Sequence, residues 1–306
     1  MKWVTIIGVY IALFTTTLWI IGAVVTDRWA WSQWLAWIPT PVVIMLLLII
    51  FIAVVISKMK KLSFLLALLV IGSIGWFVFE ENNFFSRNIS NGLRIVGWTM
   101  SHPKKNVSSE SAEKLIEFNG DITLLTHGWH VRGEKSIKEW IGANYKRIIN
   151  GPFTLLTKLP VLEVKTLIAS NGIYISLFRV DATEKIGKPI NIWAIDLPSS
   201  LKTSRIETAN RVRRLLSLVD VQEPDVVLGD FNMTRNSYAM KTMFPMLQDA
   251  SDESGAGLLA SFPANYSLYH IDHVLIDDDA LTCQSYSLVN PNIGRHRVQI
   301  AEFVSN

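Results

Sequence analysis

Apolar positions follow two regimes along this chain, and the change between them falls near residue 80. Before it, residues 3–26, 30–57 and 62–79 carry almost no charge. A helix needs about 20 apolar residues to cross hydrocarbon, so the first two stretches are long enough and the third just qualifies. The pattern predicts three transmembrane helices within residues 1–79. The first run is longer than the about 7–15 apolar residues of a secretory signal, and Asp27 and Arg28 follow it without a small-residue cleavage pattern, so it is expected to be retained.

Residues 80–92 are polar, end in Asn-Gly and read as a linker; from Leu93 to the end of the chain the apolar runs become short. Strands are predicted at 93–98, 122–125, 164–169, 172–180, 190–195, 225–229, 273–276 and 298–304, with an Asn-Gly hairpin signal at 171–172. Helices are predicted at 111–118, 204–219 and 238–246; in the second, Ile206, Ala209, Val212, Leu216 and Val219 fall on one face. Strands joined partly by hairpins and partly by helical crossovers imply an α/β fold of stacked sheets over residues 93–306.

Composition sharpens the division. Half of the 306 residues are hydrophobic, yet the formal charge is only +3, so no strongly basic surface advertises nucleic acid. Lys58, Lys60 and Lys61 lie between the second and third apolar stretches and should stay cytoplasmic, which puts the N-terminus inside. The Trp-rich loop with Trp29, Trp31, Trp34 and Trp37 and everything after Glu80 are then outside, with the tryptophans as an interfacial belt. This describes an integral protein of a plasma or inner membrane with an extracytoplasmic domain. One cysteine, Cys283, makes no intrachain disulfide.

The candidate chemistry begins at "VVLGDFNMTRNS". A strand here ends in Asp230 and Asn232, which strand alternation points to one side. An acid beside a neutral amide can orient a water and contact a phosphoryl oxygen. Two later segments add to it: "HIDHVLI", with Asp272 entering a strand, and "GRHRVQIAEFV", with His296 entering the last one.

In order and spacing these three segments resemble the endonuclease/exonuclease/phosphatase superfamily, the metal-dependent phosphoesterases and nucleases related to DNase I. The likeness covers residues 93–306 and implies a four-layered α/β sandwich preceded by the three helices, as in membrane-bound bacterial members of the group. It implies that Asp230 orients the attacking water, that Asn232 and His296 contact the phosphate, and that Asp272 holds the His296 ring.

Elsewhere the chain departs from the resembled pattern. Thr99 and Thr126 end the first two strands, and His127 occupies the place of the glutamate that usually binds the metal; Asp196 stands for the usual histidine of the middle strand, and Arg295 for an acid before the last histidine. Thr99 and Arg295 are then candidates for contacting substrate phosphate. A divalent metal, Mg²⁺, Mn²⁺ or Zn²⁺, is the implied cofactor, and imidazole at position 127 disfavours Mg²⁺, which prefers oxygen ligands. Three readings stay open: a mixed nitrogen and oxygen site of His127, Asp196 and Asp230 for Zn²⁺ or Mn²⁺; a clamp in which Arg295 supplies the positive charge; or an inactive domain that binds a phosphorylated ligand.

The expected partners are the bilayer and a phosphorylated small molecule or lipid-linked substrate, with nucleic acid the weaker alternative and no protein partner indicated. His102, His130 and His270 read as loop or surface residues, and His273 as pointing away from its neighbour Asp272. Arg205, Arg211, Arg213 and Arg214 read as a solvated helix face. Asn88, Asn106 and Asn265 stand in glycosylation sequons.

Overall fold

In the computed structural model, which describes residues 2–84, 92–100, 108–142 and 146–306, every residue of the strand Val226–Asp230 is buried. A strand covered on both faces lies between packed layers. It belongs to a six-stranded sheet of order β5 (Val161–Ser170), β6 (Ile173–Val180), β7 (Ile190–Asp196), β8 (Val226–Asp230), β11 (Asp272–Ile276) and β9 (Gln248–Asp249). Facing it is a seven-stranded sheet of order β10 (Gly255–Ala256), β12 (Leu281–Val289), β13 (Val298–Ser305), β1 (Leu93–Thr99), β2 (Ile122–Thr126), β4 (Phe153–Thr157) and β3 (Lys146–Asn150).

Ile95, Leu124, Phe178, Ile192, Leu228 and Val274 meet in the core between the sheets. Each such side chain contributes roughly 1.5–3 kcal/mol of burial free energy. The outer faces are closed by helices: α5 (Ser108–Phe118) and α6 (Lys135–Ile141) over the seven-stranded sheet, α8 (Arg205–Leu216) and α9 (Tyr238–Met243) over the six-stranded one. Two short helices, α7 (Thr183–Ile186) and α10 (Ala250–Ser254), complete the domain. The result is the expected four-layered α/β sandwich.

The hairpin predicted at 171–172 joins β5 to β6, with Ser170 opposite Ile173. Asn171 and Gly172 both have positive φ, 51° and 76°, as a two-residue type I′ turn requires. The pattern missed the hairpin of β3 and β4, because Gly151 and Pro152 look like a break in a loop, and it missed β12, whose apolar positions alternate with Thr, Gln and Ser. The expected linker lies only partly in view: Asn82 accepts from the Leu259 N–H and Asn83 bridges Gly257, while 85–91 fall outside the described residues, as do His102, Asn88 and Asn106.

Four helices precede the domain: α1 (Lys2–Val25), α2 (Gln33–Ala36), α3 (Thr40–Ile56) and α4 (Lys60–Phe79). Two of them, over 3–25 and 60–79, are long and apolar enough to cross a membrane. The middle segment differs from expectation. Pro39 caps α3 after a separate four-residue helix, so the longest continuous helix in the apolar run 30–57 has 17 residues, about 26 Å of helix against about 30 Å of hydrocarbon.

The helix ends nearest the domain are joined to it by polar contacts. Asp27 accepts from the Ser237 hydroxyl and, at 3.0 Å, from the Ala239 N–H, so a carboxylate from the loop after α1 sits at the N-terminus of α9, where helix charge favours it. Gln33 donates to the Leu201 carbonyl at 2.6 Å and accepts from the Arg205 N–H at 2.9 Å. Arg205, expected on a solvated face, is instead buried, and its guanidinium donates to the carbonyls of Pro198, Ser199 and Ser200. Arg213 and Arg214 are exposed as expected.

Candidate active site

Strand register gathers the polar ends. β7 and β8 are parallel with Asp196 opposite Asp230, and β11 runs antiparallel to β8 with Asp272 opposite Asp230. Three carboxylates therefore stand at one edge of the six-stranded sheet. Gly229 makes room for this: its φ is +145°, and a Cβ there would lie 2.0 Å from the Ile195 carbonyl oxygen. From the facing sheet, parallel β1 and β2 end side by side at Thr99 and Thr126, and His127 follows with φ +57°.

Asp272 is the hub of one half. Its Oδ1 accepts from the Thr99 hydroxyl at 2.6 Å and its Oδ2 lies 2.8 Å from His296 Nδ1. The Asp272 and Ile271 N–H groups both donate to Ser261 Oγ at 3.1 Å, which fixes the strand entrance. Burial alone would raise the Asp272 pKa, but the His296 charge and the hydrogen bonds from His296, Ser261 and Thr99 hold it below the usual carboxylate range. Burial likewise opposes charge on His296, and Asp272 outweighs it, so the imidazole titrates above its ordinary value.

Asp230 behaves oppositely. Burial first, then repulsion from Asp272 and Asp196, push its carboxyl well above the usual range, and His296 only partly offsets them. It accepts from the Asn232 N–H at 3.0 Å, and the Asn232 amide donates to the Leu197 carbonyl at 2.9 Å.

The other half is a second imidazole and carboxylate pair. His127 Nε2 lies 3.0 Å from Asp196 Oδ2, and this hydrogen bond, opposed by burial, raises the His127 pKa. The two departures from the resembled pattern thus meet: an acid and an imidazole are both present, on exchanged strands. Arg295 is exposed at the rim with its guanidinium 5.3 Å from the Phe262 ring centre, and Phe262 packs 4.9 Å from His296. Thr99, expected to meet phosphate, is committed to Asp272 instead.

Asp230, Asp272 and His296 each place one ligand-capable atom within 4.8 Å of the others, close enough to hold a cation. The donor chemistry fits one: Asp196, Asp230 and Asp272 crowd negative charge that raises Asp230, and a divalent ion would relieve it. Both Asp272 oxygens are already engaged, and His127 and Asp196 are bonded to each other, so an ion beside Asp230 would have to share those bonds; a set that includes imidazole suits a borderline ion more than Mg²⁺. A second group, Asp249, His270 and His273, meets the same spacing but is closed by its own bonds, with His273 held by Asp249 at 2.6 Å and by the Met233 carbonyl at 2.9 Å. His270, expected in a loop or at the surface, is buried and stacked 4.4 Å from His273. Ser261 and Phe262 carried no sequence signal, because their role arises only when their loop folds back beside β11.

No protein-family model and no curated protein matches the sequence. Solved structures do match the domain. An endonuclease/exonuclease/phosphatase family protein from Bacteroides thetaiotaomicron aligns over 71% of this chain and 96% of its own, with a TM-score of 0.53 and 14% identity. A humanised D. rerio TDP2 aligns over 70% and 99%, at 0.53 and 16%, and an AP endonuclease from Archaeoglobus fulgidus over 69% and 99%, at 0.52 and 12%. The domain therefore has the DNase I-like fold shared by these phosphoesterases and nucleases.

Proposed function

We propose that the chain is a membrane-anchored hydrolase of a phosphate ester or pyrophosphate, acting at the outer face of the plasma membrane on a substrate carried by a lipid. The observation that carries the reading is the meeting of Asp230 with the Asp272 and His296 pair at the strand ends. Asp230, with its raised pKa, accepts a proton from a bound water as that water attacks phosphorus. His296, kept charged by Asp272, stabilises the phosphoryl oxygens through Nε2, and His127 faces them from the other strand end. In the alternative in which Asp230, Asp196 and His127 give up these bonds to hold a divalent ion, the ion would supply that positive charge instead.

The lipid part of the reading rests on the rim. The loops after β7 and β8, which flank Asp196 and Asp230, are the segments tied to Gln33 and Asp27 at the helix ends, which supports a site close to the bilayer. A nuclease reading has less support, since the exposed Arg213 and Arg214 sit late in α8, on the outer face of the six-stranded sheet.

The test is hydrolysis by the full chain in lipid micelles, read as phosphate release from a lipid pyrophosphate and as alcohol release from a generic phosphodiester, with Mg²⁺, Mn²⁺, Zn²⁺ or EDTA. Turnover is expected with the lipid substrate and lost by at least about a hundredfold in Asp230→Ala. Unchanged turnover in that variant would overturn the assignment, and no turnover under any condition would favour a domain that binds a phosphorylated ligand.

A further inference from the structure

Every carbonyl from Leu197 to Leu201, the loop that leaves the end of β7 at Asp196, has a donor. The Asn232 amide donates to Leu197 at 2.9 Å. The buried Arg205 guanidinium gives Nη1 to Pro198 at 2.6 Å and Nη2 to Ser199 at 3.2 Å, with the Ser200 carbonyl 3.4 Å from Nη1. Gln33, from α2, donates Nε2 to Leu201 at 2.6 Å. A loop whose successive carbonyls are all paired loses hydrogen bonds wherever it moves, so these three side chains set the path of the chain after Asp196.

Gln33 also fixes the start of α8. Arg205 is the first residue of that helix, and its N–H is one of the helix-start donors that no carbonyl of the helix can reach. The Ser204 cap serves the Glu207 N–H, and the Arg205 N–H is taken by Gln33 Oε1 at 2.9 Å. One amide thus holds the far end of the loop and the backbone from which the Arg205 fork reaches its middle. The near end is coupled to the site. Leu197 donates its N–H to the Asp230 carbonyl at 2.9 Å, and Asn232, whose side chain holds the Leu197 carbonyl, donates its own N–H to Asp230 Oδ1 at 3.0 Å. Gln33 is seated in turn by α1: a Cβ at Gly22 would lie 2.2 Å from the Leu35 carbonyl oxygen, so α1 and α2 meet backbone to backbone.

We propose that Gln33 is a positioning residue for the reaction: through Arg205 and the loop 197–201 it sets Asn232 and Asp230, so the N-terminal helices are part of the catalytic scaffold and not only a tether. The inference rests on the hydrolase reading above and adds to it a dependence of turnover on how α2 is seated. The loop after β8 is tied in the same manner at its far end, where Asp27 accepts from the Ser237 hydroxyl and the Ala239 N–H at the start of α9. Both loops that leave the strand-end carboxylates therefore run from the sheet to a side chain of the segment between α1 and α3.

The test is Gln33→Met in the full chain in lipid micelles, which keeps the length of the side chain and removes both hydrogen bonds. Two readouts are taken: amide hydrogen exchange over residues 196–204 and 230–237, and kcat and KM for phosphate release from a lipid pyrophosphate, well below the unfolding midpoint. Exchange in both segments should rise about tenfold with the hairpin of β5 and β6 unchanged. The kcat should fall about ten- to a hundredfold with KM within about twofold, since misplacing a reacting group costs rate more than binding. Should Gln33→Met not fold, Gly22→Ala, which pushes α2 from its seat and leaves Gln33 in place, should give the same pattern. Unchanged exchange at 230–237, or a lowered unfolding midpoint with unchanged kcat, overturns the proposal, because Gln33 would then only fasten the helices to the domain. Raised exchange in both segments of a protein whose wild type releases no phosphate would overturn the hydrolase reading alone.

Discussion

Asp272 and His273 are neighbours on β11, and each belongs to a buried pair of carboxylate and imidazole, yet the two pairs have different fates. Strand alternation sends Asp272 to the strand-end cleft, where it meets His296, and sends His273 to the other face, where it meets Asp249. His273 spends both ring nitrogens, on Asp249 and the Met233 carbonyl, whereas His296 spends Nδ1 on Asp272 and leaves Nε2 uncommitted among the described residues. The same two residue types therefore make a structural clamp where every atom is satisfied and a reactive group where one is not. What separates them is satisfaction of hydrogen bonds, not residue chemistry.

The comparison is broken most severely by deleting each imidazole. His296→Ala should lower kcat by about 10²–10⁴-fold, as for a group acting on the phosphoryl oxygens, and should cost some stability too, since it takes from the buried Asp272 its charged partner and leaves it the Thr99 hydroxyl. His273→Ala should unfold the protein more easily by about 3–5 kcal/mol, since it strands the buried Asp249 charge and frees the Met233 carbonyl. Phosphate release and thermal unfolding on both variants check the pair of outcomes; a reversed pattern would mean the two roles are misassigned.

A weaker lever is pH. His270 stacks on His273 and is held near pKa 3 by burial and by the His273 charge, against about 6.5 in an unfolded chain. Between those values the unfolded chain binds a proton that the folded one excludes, so stability falls as pH drops below about 6.5 and the loss levels off near 3. The contribution of this one group approaches about 1.4 kcal/mol per pH unit. Unfolding midpoints of wild type and His270→Phe, measured from neutral to acid pH, should converge as pH falls; parallel curves would show that His270 is not the group being titrated.

These pairs also show how far the sequence reaches. Asp230 and Asn232 could be picked out because they close an apolar run at a strand end, Asp272 and His296 because their segments resemble those of the endonuclease/exonuclease/phosphatase superfamily in order and spacing, and period-two alternation alone placed His273 on the face away from Asp272. The partners could not be picked out. His270 looks like a loop histidine until Tyr286, on β12, supplies its hydrogen bond, and Arg205 looks like a surface cation until three carbonyls of the preceding loop turn toward it. Local pattern reports which face of an element is covered, but a polar side chain is buried by partners brought from elsewhere in the fold. The short α3 belongs to the same class: its hydropathy reads as one long run, and only the separate turn of α2 before Pro39 shortens it.

The finest adjustment to the comparison is Thr99→Val, which keeps the volume and removes one hydroxyl. Thr99 donates to Asp272 Oδ1 at 2.6 Å and helps hold Asp272 ionised, which in turn keeps His296 charged. Losing one charge-assisted hydrogen bond of about 1.5–3 kcal/mol raises the Asp272 pKa and weakens its hold on the imidazole. The expected result is a fall in kcat of about tenfold with the alkaline limb of the pH profile moved to lower pH, because His296 loses its proton more easily. Thr99→Ser should restore both. A fall in kcat with an unmoved pH profile would show that Thr99 acts by packing at the end of β1 and not through Asp272.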